Sequence, residues 1–328
     1  MTTHARARPS NSRHRGAALL SAMLTVTMVA TLAASALWQQ WRDVEIETSE
    51  RARVQAAWML GGALDWSRLI LRESRRAAIS SNQTLTDNLS QPWAVPLQEA
   101  RLSSFLAADQ NNTVDSDADD VFLSGSITDA QSLFNLRNLV TDRNLIDEGW
   151  LLALQRLCAQ LNLPEQQAQL IAEGMRASLA GGTDATLVPQ RLDEIAWFGV
   201  SLPTIQTLQP YANILPKRTA VNLNTAPVPV LAATLGVSAS VAQRLATART
   251  NKPFSSLADA QAEAGVDLML DDDHEAVVSN FFEVRGRLRL QQAVVEERSL
   301  VGREGTTVRV RWRERGALTP PPAATVSR

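Results

Sequence analysis

Cysteine, histidine and tyrosine are scarce in this chain of 328 residues, which has one cysteine, three histidines and one tyrosine. The single cysteine, Cys158, excludes an internal disulfide. It lies in an apolar pattern of helical period, which predicts a buried thiol rather than a nucleophile. The sequence contains no phosphate-binding glycine loop, no Ser/His/Asp arrangement and no metal-binding quartet. We therefore predict that the protein is not an enzyme, and we predict no cofactor.

Net charge is also small, since 32 basic and 34 acidic residues leave −2. An overall electrostatic attraction to nucleic acid is therefore not expected. Apolar residues make up 45% of the chain, which is enough for hydrophobic cores, and the length suggests about two domains.

Charged residues are absent between Arg15 and Arg42. The apolar part of this stretch, 17–37, would form a helix about 30 Å long, which matches the hydrocarbon core of a bilayer. Arginines precede it and acidic residues follow it, so the positive-inside rule places the N-terminus in the cytoplasm and the larger part outside it.

Three interpretations of this stretch remain open. A secretory signal peptide has a shorter apolar region, and Ala34-Ser35-Ala36 is only a weak cleavage site. A plain signal anchor fits the hydropathy. The Arg-Gly pair before the run also resembles a type IV prepilin leader, which is cut on its cytoplasmic side, here between Gly16 and Ala17.

The pattern remains helical to about Arg76, and Gly61-Gly62 predicts a bend or a close packing contact. Residues from Trp93 to about Asp129 have β-strand texture, interrupted by an acidic loop. Two acidic segments are weak calcium candidates, and for each the alternative is a solvated loop. Their residues are Asp115, Asp117 and Asp119 in the first, and Asp271 and Asp273 in the second. Neither segment has complete calcium-loop spacing.

The stretch 132–280 is mostly helical and contains a segment that resembles a helix-hairpin-helix, with an opening at Asn222–Ala226 close to that of competence DNA receptors. We expect Thr225 to cap its first helix, Gly236 to end it and Ser238 to cap the next. The DNA-binding form has a second glycine where Ser238 follows Gly236 and Val237, and residues 218–275 carry a net charge of −3. The composition favours a protein-packing module, and no nucleic acid partner is expected.

The last fifty residues return to β-strand alternation, which predicts a three-stranded antiparallel meander. Its strands are Phe282–Leu290, Ala293–Val301 and a third around Val308–Arg313, with a turn at Gly302–Gly305. The arginines that alternate with the apolar residues predict a basic face, which is either solvated or meets an acidic partner.

Together these features resemble the minor pseudopilin K family of the type II secretion system. The residues that carry the resemblance are Arg15 to Leu20, Pro92-Trp93-Ala94, Phe134-Asn135-Leu136, Val221 to Pro227 and Arg311-Trp312-Arg313. The resemblance implies a pilin-like α+β fold, in which a transmembrane helix leads to an antiparallel sheet with a large α-helical insert. It implies an inner-membrane protein with a periplasmic globular part, cleavage by prepilin peptidase, and minor pseudopilins I and J as partners at the tip of the pseudopilus. A membrane-anchored DNA receptor is the alternative function.

We expect the following organisation: leader 1–16, transmembrane helix 17–37, pilin-like helix and first strands 38–131, insert subdomains 132–217 and 218–280, meander 281–315 and a disordered tail 316–328. Most pilins carry glutamate at the fifth residue after the leader, where this chain has Ser21. In the family, that glutamate pairs with the N-terminal amine of the neighbouring subunit nearer the tip. A tip subunit has no such neighbour, so the serine predicts a position at the tip.

Overall fold

The computed structural model describes residues 13–82, 84–102, 121–182, 186–290 and 293–316, and the side chains of all of these except 13–16. The start of the leader, the calcium candidates Asp115, Asp117 and Asp119, and the tail after residue 316 lie outside the described residues. The chain divides into two compact units, 1–55 and 56–328.

Helix α1 (Arg13–Ser80) is 68 residues long. The apolar N-terminal part of α1 is fully exposed. Within the described ranges, α1 is the one helix that is long and apolar enough to cross a membrane by itself. In the second unit, Leu60, Leu64 and Leu71 of α1 are buried. The helix continues through Gly61 and Gly62, where an added Cβ would meet no atom within 4 Å, so the close packing contact predicted there is wrong.

A 3-10 helix, Pro92–Ala94, follows α1 and buries Trp93. We expected β structure from Trp93 onward, but Pro92 has no N–H for a strand ladder and its fixed φ favours a helix start. The first strands are β1 (Leu97–Arg101) and β2 (Val121–Asp129).

The residues between β2 and the next long strand form the α-rich insert that the sequence predicts. Its helices are α2 (Glu148–Gln160), α3 (Gln166–Ala180), α4 (Leu202–Leu208), α5 (Val228–Leu235), α6 (Ala239–Asn251) and α7 (Leu257–Ala264). The 3-10 turns are Ala130–Ser132, Leu136–Leu139 and Leu192–Phe198. Short parallel pairs join β3 (Phe134–Asn135) to β4 (Ala212–Asn213), and β5 (Val221–Asn222) to β6 (Glu275–Ala276).

The chain then returns to the sheet in β7 (Phe281–Leu290), β8 (Ala293–Glu304) and β9 (Thr307–Arg315). The five strands have the order β1-β2-β7-β8-β9, and all neighbours are antiparallel. The pairing of β2 with β7 brings Asp129 opposite Phe282, so the insert leaves and re-enters the sheet at one place. The predicted meander is confirmed, but its turn follows Glu304, and Gly302 lies within β8.

The two larger hydrophobic cores of the described residues lie in the insert and between α1 and the sheet. In the insert, Phe134 packs edge-to-face on Trp150 with ring centroids 5.4 Å apart. Cys158 belongs to the same core and is completely buried, as predicted. Between α1 and the sheet, Trp93 packs edge-to-face on Phe282 at 5.2 Å. The insert and the sheet with α1 thus each bury their apolar side chains in a core of their own.

The arginines of the meander are largely paired with glutamates. Arg285 and Arg298 both contact Glu283, at 2.6 and 2.7 Å. Arg313 and Arg315 both contact Glu297, whose side chain is almost fully buried. The predicted basic face is therefore neutralised over much of its area by carboxylates of the same sheet.

Candidate functional site

Gly16 and Ala17, between which we predict leader cleavage, lie within one continuous helix, the N-terminal part of α1. Four residues after Ala17, the Ser21 hydroxyl donates to the carbonyl oxygen of Ala18 at 2.9 Å. This bond satisfies the only polar group of the side chain inside an apolar segment, so the serine costs little there. Trp38 and Trp41 follow the segment with ring centroids 5.9 Å apart, where interfacial aromatic residues are common.

The helix-hairpin-helix-like segment adopts the expected local geometry at its turn. Gly236 ends α5 with φ of +65°, and the Ser238 hydroxyl accepts from the backbone N–H of Val241 at 3.4 Å to cap α6. The two helices are bent by 120° at the turn. A Cβ at Gly236 would lie 2.6 Å from a guanidinium nitrogen of Arg156, so this turn packs against α2.

Three of the four basic residues in 218–275 bind groups of the same chain. Arg218 pairs with Asp147 of the α2 N-cap at 2.7 Å, and Arg244 donates to the carbonyl of Ala264. Arg249 donates to the carbonyls of Leu223 and Ala226 at 2.5 and 2.6 Å, and burial lowers its pKa to about 10. Only Lys252 is exposed without such a bond. The segment therefore presents little positive charge for phosphate contacts.

We expected Thr225 to cap α5, and this is wrong, because the N-cap residue of the helix is Pro227. The Thr225 hydroxyl instead donates to the Oδ2 atom of Asp129 at 2.6 Å. Two residues of the Asn-Leu-Asn-Thr stretch, Asn222 and Thr225, thus contact Asp129 at the end of β2.

A buried polar cluster forms where the insert joins the sheet, and we call it the clasp. Its members are Asp87, Asp129, Asn222, Thr225, Ser279 and Arg303, none more than 8% exposed. The Asn222 amide donates to Asp129 Oδ2, Ser279 Oγ and the carbonyl of Asp87 at 2.9, 2.9 and 3.0 Å. One asparagine therefore connects the loop after α1, the end of β2 and the approach to β7.

The charges of the clasp are unequally paired. Arg303 donates to Asp87 Oδ2 at 2.5 Å and to the carbonyl of Ser279 at 2.7 Å, and its guanidinium lies 4.8 Å from the centre of the Phe282 ring. Asp129 receives only neutral donors. Burial raises the pKa of Asp129 to about 6, and the charge of Asp87 adds to this effect.

The acidic run at 271–275 is organised by hydrogen bonds within the turn. Asp271 accepts from the backbone N–H groups of Asp273 and His274 at 2.9 Å, and its carboxylate also contacts the His274 ring nitrogen Nδ1 at 2.9 Å. The His274 ring stacks on Trp150 at 4.9 Å. Among the described residues, no three His, Cys, Asp or Glu side chains are placed to hold a metal ion.

Sequence reasoning found the segment 221–227 but missed the other members of the clasp, Asp87, Asp129, Ser279 and Arg303. These residues are far apart in the chain, and no spacing relates them. An acidic residue at the end of an apolar strand, as at Asp129, was the only local signal.

Comparisons with known proteins agree on one family. Residues 221–279, which include β5, the hairpin and β6, match the family model described as type II secretion system (T2SS), protein K. The chain is 25% identical over 271 residues to the type II secretion system protein K of Pseudomonas aeruginosa, covering 74% of this chain and 75% of that protein.

The fold is similar to that of a chain in the crystal structure of the GspK-GspI-GspJ complex from the enterotoxigenic Escherichia coli type 2 secretion system. The TM-score is 0.61 at 19% identity, and the match covers 82% of this chain and 99% of that one. The resemblance predicted from sequence is confirmed, and so is the α+β fold class.

Proposed function

We propose that this chain, which is similar to protein K of the type II secretion system over most of its length, acts as a minor pseudopilin. The observation that carries the proposal is the architecture itself. One helix runs from an apolar segment into a domain whose antiparallel sheet is interrupted, between β2 and β7, by an α-rich insert. In this role the protein acts by packing against other subunits of the filament.

Maturation by prepilin peptidase between Gly16 and Ala17 would leave the apolar helix on the mature protein. Residues 17–37 would then anchor the chain in the inner membrane, with Trp38 and Trp41 at the interface and the globular part in the periplasm. The uninterrupted helix from Arg13 supports this, because cleavage after Gly16 leaves a free amine at the start of a helix.

We place the subunit at the tip of the pseudopilus, with minor pseudopilins I and J as its partners, where it initiates and caps assembly. Two features support this position. Ser21 satisfies its hydroxyl within its own helix, so it needs no neighbouring amine. The insert, which lies between Ala130 and Asn280, is bulky beside a five-stranded sheet and is hard to accommodate between stacked subunits.

The proposal is tested by co-purification of the full chain, in detergent, with pseudopilins I and J, and by N-terminal sequencing of the mature protein. We expect a complex of the three proteins and a mature sequence that begins at Ala17. A mature protein that begins near Leu37 would mean an ordinary signal peptide and would refute the filament role. Tagged protein distributed along the shaft would refute the tip position alone.

A further inference from the structure

Asp129 is the central acceptor of the clasp. Its Oδ2 atom accepts from three side chains, Asn222 at 2.9 Å, Thr225 at 2.6 Å and Ser279 at 2.6 Å. Its Oδ1 atom accepts from the backbone N–H of Gln131 at 2.8 Å. All four donors are neutral, and the side chain is buried. A carboxylate in such a place depends on hydrogen bonds alone to offset the loss of its hydration.

The charged groups that face Asp129 are arranged around a second carboxylate, Asp87. Ser279 touches both, since its hydroxyl donates to Asp129 while its backbone N–H donates to Asp87 Oδ2 at 2.9 Å. The buried cation of the cluster, Arg303, pairs with Asp87. Arg75 of α1 is half-buried near Asp87 and Arg303. Burial and then the charge of Arg303 lower the pKa of Arg75, while the charge of Asp87 raises it.

The cluster also contains a route by which a proton on Asp129 can be accommodated. Thr225 Oγ1 lies 2.6 Å from Asp129 Oδ2 and 3.4 Å from the carbonyl oxygen of its neighbour Asn222. If the carboxyl group gains a proton on Oδ2, it can donate to Thr225, and the threonine hydroxyl can rotate to donate to Asn222. No buried donor is then left without an acceptor.

We propose that Asp129 is a proton-binding residue, and that its protonation in mildly acidic surroundings strengthens the attachment of segment 221–226 to the sheet. Neutralising it removes both its repulsion with Asp87 and the cost of a buried charge without a cation. The proposal concerns the stability of the joint between insert and sheet, and it holds whatever position the subunit has in a filament.

The direction follows from proton linkage. The pKa of Asp129 is raised from 3.8 to about 6, so the folded protein binds the proton roughly 100-fold more tightly than the unfolded chain does. The free energy of unfolding is therefore higher below pH 4 by the whole contribution of this group, and the contribution is lost as the pH rises through 6.

The experiment is urea unfolding of the full chain in detergent micelles, followed by tryptophan fluorescence at several values between pH 5.0 and 7.5. Wild type is expected to unfold at higher urea at pH 5.0 than at pH 7.5. Asp129→Asn, which is neutral at every pH, should lose part of that difference, because Glu275, whose pKa burial raises to about 7, also contributes to it. Asp65→Asn is the matched control, because Asp65 is exposed on α1, and it should keep the wild-type profile.

A second measurement decides the matter if Asp129→Asn fails to fold. The carboxyl carbon resonances of wild-type protein labelled with ¹³C-aspartate are followed over the same pH range. One aspartate with a midpoint near pH 6 supports the proposal. The proposal is overturned if every aspartate titrates below pH 5, or if Asp129→Asn folds and retains the full pH dependence of the wild type.

Discussion

The side-chain amide of Asn222 lies 2.9 Å from the carboxylate of Asp129, although 93 residues separate them. Asp129 ends β2, where the chain leaves the sheet, and Asn222 lies in β5, close to where the chain returns. The contact fixes the insert to the sheet at its base. It also gives Asn222 a structural role in a segment that presents little positive charge.

Asn222→Ala should destabilise the protein strongly, because it leaves Asp129 and the carbonyl of Asp87 with fewer donors in a buried place. It also removes the acceptor of the Asn224 backbone N–H, which bonds to Asn222 Oδ1 at 2.9 Å. We expect the free energy of unfolding to fall by about 2–4 kcal/mol in urea titrations. Asn251→Ala, at the exposed end of α6, is the control and should change it by less than about 0.5 kcal/mol.

Two glycines should respond in opposite directions to replacement by alanine. A Cβ at Gly125 in β2 would lie 2.7 Å from the backbone carbonyl oxygen of Arg285. This oxygen is held in the paired strand β7 and cannot move away, so Gly125→Ala should lower the free energy of unfolding by about 1–3 kcal/mol. A Cβ at Gly61 in α1 meets nothing, so Gly61→Ala should stabilise the helix by up to about 1 kcal/mol. Thermal unfolding of both variants measures this, and equal shifts of the same sign would contradict it.

Cys158 should resist thiol reagents while the protein is folded. The side chain is completely buried, and burial raises its pKa to about 11, so almost no thiolate exists at pH 8. Mass spectrometry after maleimide treatment should show labelling only in urea. The variant Ser240→Cys, on an exposed turn of α6, is the positive control and should be labelled without denaturant. Rapid labelling of Cys158 in native wild type would mean that the insert core opens readily.

Restoring the second glycine of the hairpin should not create a DNA-binding protein. Ser238→Gly supplies the missing glycine, but Arg218, Arg244 and Arg249 remain bound to groups of the same chain. We expect neither wild type nor this variant, as full chain in detergent, to bind duplex DNA at physiological salt. Submicromolar binding by wild type that weakens steeply with added salt would favour the DNA-receptor alternative.

Ser21→Glu should impair secretion if the subunit has the proposed tip position. The carboxylate would have no amine from a neighbouring subunit nearer the tip, and a lone carboxylate costs roughly 2.5–3.5 kcal/mol at the bilayer centre on insertion scales. Ser21→Ala removes only the bond to the Ala18 carbonyl and should be close to wild type. Secretion assays in a strain that lacks the chromosomal copy compare the two. Wild-type secretion by Ser21→Glu, at equal protein level, would remove the support that Ser21 lends to the tip position.

Local features were predicted well where the pattern itself is local. The end of α5 at Gly236 and the cap at Ser238 follow from the left-handed conformation that glycine tolerates and from the serine hydroxyl. The failure at Thr225 has the same origin, since a capping residue was inferred from neighbours in sequence. A partner 96 residues away, Asp129, took the hydroxyl instead.

The sequence by itself determined the membrane-length apolar helix, the α-rich middle and the β-rich end, because hydropathy and periodicity are properties of short windows. It also determined that Cys158 is buried, since it lies on the apolar stripe of its helix. Only the tertiary structure decided what the charged and polar residues do. The antiparallel pairing of β2 with β7 brings Asp129 opposite Phe282 and helps to assemble the clasp from five separate segments of the chain. The same sheet places Glu297 of β8 beside Arg313 and Arg315 of β9, because cross-strand neighbours are set by register, which no short window of sequence contains.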